Sequence, residues 1–139
     1  MKKKKFKYIF LSGKVLILSM LCFQLAEAQN SDWSAPAAAD KIENPVANDD
    51  KAIAKGKKIY YQICAVCHGR NGKGDGPNAK TLKVKPADHT DPEFHEQSDG
   101  ALFWKISKGK DPMPSYNEVF SKTQRWQIVA FIRTLKEDN

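Results

Sequence analysis

Cysteine, histidine and methionine are scarce in this chain, with three of each among 139 residues. The apolar residues build no run long enough to cross a bilayer. The longest stretch, Val15 to Phe23, is cut off by Lys14 and falls short of the roughly 20 residues a spanning helix needs. Before it stand Lys2, Lys3, Lys4, Lys5 and Lys7, and after it Ala26-Glu27-Ala28 has the small-x-small form of a signal-peptidase site. Residues 1–28 therefore read as a cleaved export signal, with the mature chain starting at Gln29. Membrane association is expected only if that signal is retained or Cys22 is lipidated, and Leu21 stands where lipidated signals carry a small residue. The surplus of positive charge also disappears with the leader. The whole chain has 23 basic and 16 acidic residues; six lysines and Glu27 leave with the signal, so 17 face 15 and nucleic-acid binding has no support. The leader also takes Cys22, Met1 and Met20. What remains, about 111 residues, suffices for one small domain.

The two cysteines left are Cys64 and Cys67, and His68 follows directly. In an oxidising compartment a thiol pair at this spacing forms a disulfide or carries a cofactor. The string Cys64-Ala65-Val66-Cys67-His68 favours the cofactor, because C-x-x-C-H is the attachment sequence of c-type haem. Two cysteines three apart on a helical turn point to one side and can form thioethers with the haem vinyl groups. The adjacent imidazole reaches the iron.

Residues 29–46 carry Pro36, Pro45 and an alanine run without a sustained apolar period, and read as a flexible leader. The domain occupies residues 47–139. Its first helix is expected from an N-cap at Asn48 to about Cys64, with Ile53, Gly56, Ile59, Tyr60 and Ile63 as a buried stripe. A second starts near Ser98-Asp99, buries Leu102, Phe103 and Ile106, and stops at Gly109. A third starts after Ser121, with Gln124 completing a capping pair, and buries Ile128, Phe131, Ile132 and Leu135. Between the first two lies a polar, Gly- and Pro-rich segment, 68–97, long for a compact domain unless it wraps a large apolar group such as a haem.

Cys64-Ala65-Val66-Cys67-His68 at a helix end, Met113-Pro114 in a later loop and an amphipathic terminal helix together resemble the class I cytochromes c. Gly56 with Tyr60 looks like that family's glycine and aromatic pair crossing the terminal helix, and Gly72-Lys73-Gly74-Asp75-Gly76-Pro77 looks like the loop after the haem site in small bacterial members. The resemblance implies an all-α fold of three to five helices around one covalent haem c, His and Met on the iron, and electron transfer rather than catalysis. It places the protein in the periplasm, serving redox partners of a respiratory chain. His68 and Met113 are the expected iron ligands. Met113 is the sole methionine outside the leader, and a thioether opposite an imidazole favours the reduced iron. A proline carbonyl orients the iron-bound imidazole in the resembling family, and Pro86 is the first candidate here, with Pro77 the second.

Other readings compete. His89 or His95 on the iron gives a bis-imidazole haem, although the acidic residues around both suggest hydrated surface histidines. An iron position left open gives a peroxidase-like enzyme, or the chain serves as an oxidase subunit. Cys64, Cys67, His89 and His95 around zinc leave His68 and the Met113 loop without a role. Trp104 and Tyr116 are candidate haem contacts, and Trp126 reads as packing. Lys73, Lys80, Lys83 and Lys85, with Lys105, Lys108 and Lys110, make a rim suited to acidic docking surfaces.

Overall fold

The computed structural model describes residues 33–137, so the expected export signal, Cys22 and the first residues of the expected leader lie outside it. Helix α1, Ala37–Asp40, is a single turn. Helix α2 runs Asp50–Ile59, passes through a π-helical turn at Tyr60–Cys64 and continues as α3, Ala65–His68. Helices α4, Asp99–Lys108, and α5, Lys122–Arg133, come next, with 3₁₀ turns at Ala79–Thr81 and Phe94–Glu96. No strand forms among the described residues, and the all-α expectation holds.

The termini follow from local chemistry. Asp49, not Asn48, caps α2: its carboxylate accepts from the N–H groups of Lys51 at 2.8 Å and Ala52 at 3.1 Å. Ser98 caps α4 and Gly109, at φ 65°, ends it. Ser121 and Gln124 form a reciprocal capping box at α5.

The core is the crossing of α2 on α5. Tyr60, Ile128 and Val129 are fully buried, with Leu102, Ile106, Phe131 and Ile132 around them. Gly56 makes the crossing close, and Tyr60 meets Phe131 edge-on with ring centroids 5.1 Å apart. Ile63 departs from the expected buried stripe and is 38% exposed. The π turn, closed by the Ala65 N–H on the Tyr60 carbonyl, inserts an extra residue and rotates the side chains beyond Tyr60 out of the stripe's phase.

Two segments expected to be loose are held by hydrogen bonds. In the leader, Asp40 accepts from the Ser98 hydroxyl at 2.7 Å, Asn44 donates to the Trp126 carbonyl, and Ala39 is buried against Gly100. Residues 33–46 are thus a strap on α4 and α5. The segment after His68 folds back on the end of α3, where Gly74, Gly76 and Asn78 donate to the carbonyls of His68, Cys67 and Val66 at 2.9, 3.1 and 2.8 Å. Carbonyls left unpaired by the end of the helix hold the loop that sequence composition could not.

Candidate functional site

The π turn and α3 bring Cys64, Cys67 and His68 to one end of the α2 axis. Both thiols are free and partly buried. Burial, and then the nearby Cys67, push the Cys64 thiol up to about 12, which opposes thiolate formation and suits a neutral thioether. Tyr116 lies close enough to both cysteines that their charges, after burial, push its phenol up to about 12 as well. That places Tyr116, one of the two aromatic candidates, at the site, where it packs on the same core cluster as Cys64.

His68 Nδ1 lies 3.0 Å from the Ala87 carbonyl and donates to it. Burial lowers the imidazole's pKa against the opposing pull of that hydrogen bond, so the ring is neutral near pH 7. Its Nε2 takes no protein hydrogen bond among the described residues. The carbonyl expected from Pro86 is one residue off. The Pro86 carbonyl abuts Gly74, where a Cβ would come within 2.4 Å of it, and the next carbonyl along turns to the imidazole. Gly72 and Gly74, both at positive φ, permit that approach, and the glycine-rich string was the signal in the sequence for a close backbone contact.

Met113 sits in a tight turn joined to Lys110 by two backbone hydrogen bonds of 2.9 and 2.8 Å, with the Asp111–Pro112 peptide cis. Its side chain is half-buried and packs on the same core cluster as Cys64 and Tyr116. The chain after the turn is fastened to α4: the Tyr116 N–H donates to Ile106 O at 3.1 Å and the Ser115 hydroxyl to Ser107 O at 2.6 Å. Arg125 of α5, buried at 7% exposure, joins both sides by donating to the Ser107 hydroxyl and, at 2.7 Å, to Asn117 Oδ1. Its Nε is the one buried side-chain polar atom without a partner among the described residues. This clamp was not visible in the sequence, where Arg125 looks like any helical arginine.

The rival histidines are not surface groups opposite His68. His89 is 5% exposed and lies flat against the His68 ring, on the same side of the site. His95 donates from Nε2 to the His89 carbonyl at 2.7 Å and accepts from Arg133 at Nδ1. Both are committed inside the protein. Among the described residues no three His, Cys, Asp or Glu side chains converge as a metal cage, which removes the zinc arrangement of Cys64, Cys67, His89 and His95. The lysine rim is also smaller than expected. Lys73 pairs with Glu137 at 2.7 Å, and Lys105 turns inward to Gln97 Oε1 at 2.5 Å and over the Trp33 ring. Lys80, Lys83, Lys85, Lys108 and Lys110 stay exposed.

The residues present fit a covalently attached haem: two unpaired thiols, a neutral imidazole with one nitrogen satisfied, and an apolar thioether loop against the same cluster. Known proteins agree. Cytochrome c6 of a Synechococcus species is 30% identical over 80 residues, covering 58% of this chain and 67% of that protein. A chain of the Kuenenia stuttgartiensis reducing HAO-like protein complex superposes with a TM-score of 0.58 at 31% identity over 63% of this chain, which spans only 45% of that one. The KustC0563 c-type cytochrome superposes with a TM-score of 0.53 at 25% identity, over 59% of this chain and 98% of its own. Residues 51–132 match the model of the family described as cytochrome c oxidase, cbb3-type, subunit III. The chain belongs to that family and is a small c-type cytochrome, an electron carrier with covalently bound haem c.

Proposed function

We propose that this cytochrome is exported to the periplasm and passes single electrons between respiratory-chain components, with its one haem iron held between His68 and Met113 and its thioethers at Cys64 and Cys67. The observation that carries the reading is the state of His68. With Nδ1 given to Ala87 and the ring kept neutral by burial, the Nε2 lone pair is the coordinating group left on an imidazole fixed beside two free thiols. When bound, the haem supplies a one-electron ferric/ferrous couple. Met113, a neutral and polarisable sulfur on an anchored turn, favours the ferrous state and raises the potential above that of a bis-imidazole site.

Two protein ligands leave no open position for a substrate, which favours a carrier over a peroxidase-like enzyme. The test is ligand binding by the wild-type holoprotein. Haem that survives acid extraction, together with no carbon monoxide binding at neutral pH, is the expected result. Avid binding by the ferrous protein would move the function to the open-site class.

The family description names an oxidase subunit, and one structural neighbour belongs to a protein complex, so docking to a larger redox protein is part of this reading. Lys80, Lys83, Lys85, Lys108 and Lys110 supply the charge for an acidic docking surface. Electron-exchange rates with such a partner should fall several-fold as ionic strength rises from low to physiological. A flat dependence removes the electrostatic docking face.

A further inference from the structure

His89 is a polar side chain in a buried place, and its ring lies face to face with that of His68, centroids 4.2 Å apart and planes inclined by 19°. It is held on several sides. Its backbone N–H donates to the Gly72 carbonyl at 2.7 Å, its Cβ covers Gly72, and the Phe94 ring lies against its ring with centroids 4.7 Å apart. Its Nδ1 lies 3.1 Å from the Tyr60 hydroxyl, which is 3.2 Å from the Gly69 carbonyl. With the Tyr60 O–H donated to Gly69 and the His89 Nδ1–H donated to the phenol oxygen, every one of these groups is satisfied.

Two residues earlier the same segment supplies the Ala87 carbonyl to His68 Nδ1. Residues 87–89 therefore grip one imidazole at its edge and across its face. The edge contact restrains the ring at one atom only, and a hydrogen bond tolerates about 30° of misalignment, so some turning about the Cβ–Cγ bond remains. A flat neighbour pressed on the face removes that rotation. We propose that His89 is a positioning residue that sets the rotational angle of the His68 imidazole through its flat stacked ring. The proposal rests on the role of His68 as an iron ligand in a low-spin ferric haem.

The angle of an axial imidazole governs how unpaired spin is distributed over the macrocycle of a low-spin ferric haem, so the order of the four haem-methyl proton resonances reports it. The experiment records those resonances in the ferric wild-type holoprotein, His89→Leu and His89→Phe. His89→Leu keeps apolar bulk without a flat face, and the methyl order should change. His89→Phe keeps the face while losing the Tyr60 hydrogen bond, and the wild-type order should persist. If His89→Leu yields no holoprotein, His89→Gln carries the same comparison. The wild-type order in the Leu or Gln variant, or a changed order in the Phe variant, overturns the inference alone. A wild-type spectrum without shifted ring protons of an iron-bound His68 overturns it together with the ligand assignment.

Discussion

Replacing Met113 by alanine in the holoprotein is expected to abolish the sulfur-to-iron absorption band completely, lower the reduction potential and open the iron to carbon monoxide, while the fold survives. The backbone that carries Met113 is fixed without its side chain. Lys110 and residue 113 exchange two backbone hydrogen bonds, Gly109 packs against the backbone of Pro114 and Ser115, and Ser115, Tyr116 and Asn117 are tied to α4 and Arg125. Truncating a half-buried thioether therefore costs about 1–2 kcal/mol of packing and does not release the loop. No second thioether can replace it, since no other methionine stands among the described residues. His89 and His95 cannot swing in without breaking the Tyr60 and Arg133 contacts and the stack on His68. With Met113 as the proposed ligand, its loss leaves that place to a water molecule or an added ligand and removes the preference for ferrous iron. Paired absorption spectra and a potentiometric titration of the two proteins check this. An unchanged band and potential would remove Met113 from the iron and with it the His/Met reading.

The features that were legible in the sequence are those decided within a few residues. Ser98 and the Ser121/Gln124 pair mark helix starts because the cap side chains accept from N–H groups three residues on, Gly109 marks an end because its positive φ turns the chain out of the helix, and Gly56 announces a close crossing because nothing else explains it inside a helix. The features that were hidden depend on partners far along the chain. His89 sits among Asp88, Thr90, Asp91 and Glu93, which suggested a hydrated loop, yet the chain bends at His89 and Thr90 and buries both, leaving Asp91 and Glu93 exposed while His89 turns in to Tyr60, 29 residues earlier. The strap at residues 33–46 has no apolar period and still docks, through a carboxylate, an amide and one buried alanine, onto elements more than 50 residues away. The Ala87 carbonyl was hidden by a single residue, because which carbonyl faces His68 depends on where Pro86 meets Gly74. Backbone hydrogen bonding of this kind leaves no trace in side-chain identity.

The α2/α5 crossing yields the largest expected loss of stability from a small change. A Cβ added at Gly56 would stand 1.9 Å from the Gln127 carbonyl oxygen and 2.4 Å from its carbon. Both are backbone atoms inside α5, so no rotamer change relieves the clash and the helices must move apart. Opposing this, alanine in a helix interior is favoured over glycine by about 1 kcal/mol. Overpacking a core costs roughly 1–3 kcal/mol, and more where the obstacle is backbone. The steric term wins, because separating these helices also loosens Tyr60 from Phe131, Ile128 and Val129, the best-buried contacts of the domain. Gly56→Ala should lose about 2 kcal/mol net, and Gly56→Val more. In a domain of this size that lowers the melting temperature by about 10 °C. Ala54→Gly, at an exposed position of the same helix, is the control: it should cost only the propensity term of about 1 kcal/mol. Denaturant titrations of the holoproteins followed by circular dichroism compare the three. A Gly56→Ala protein as stable as wild type would mean that α2 and α5 do not cross at this distance.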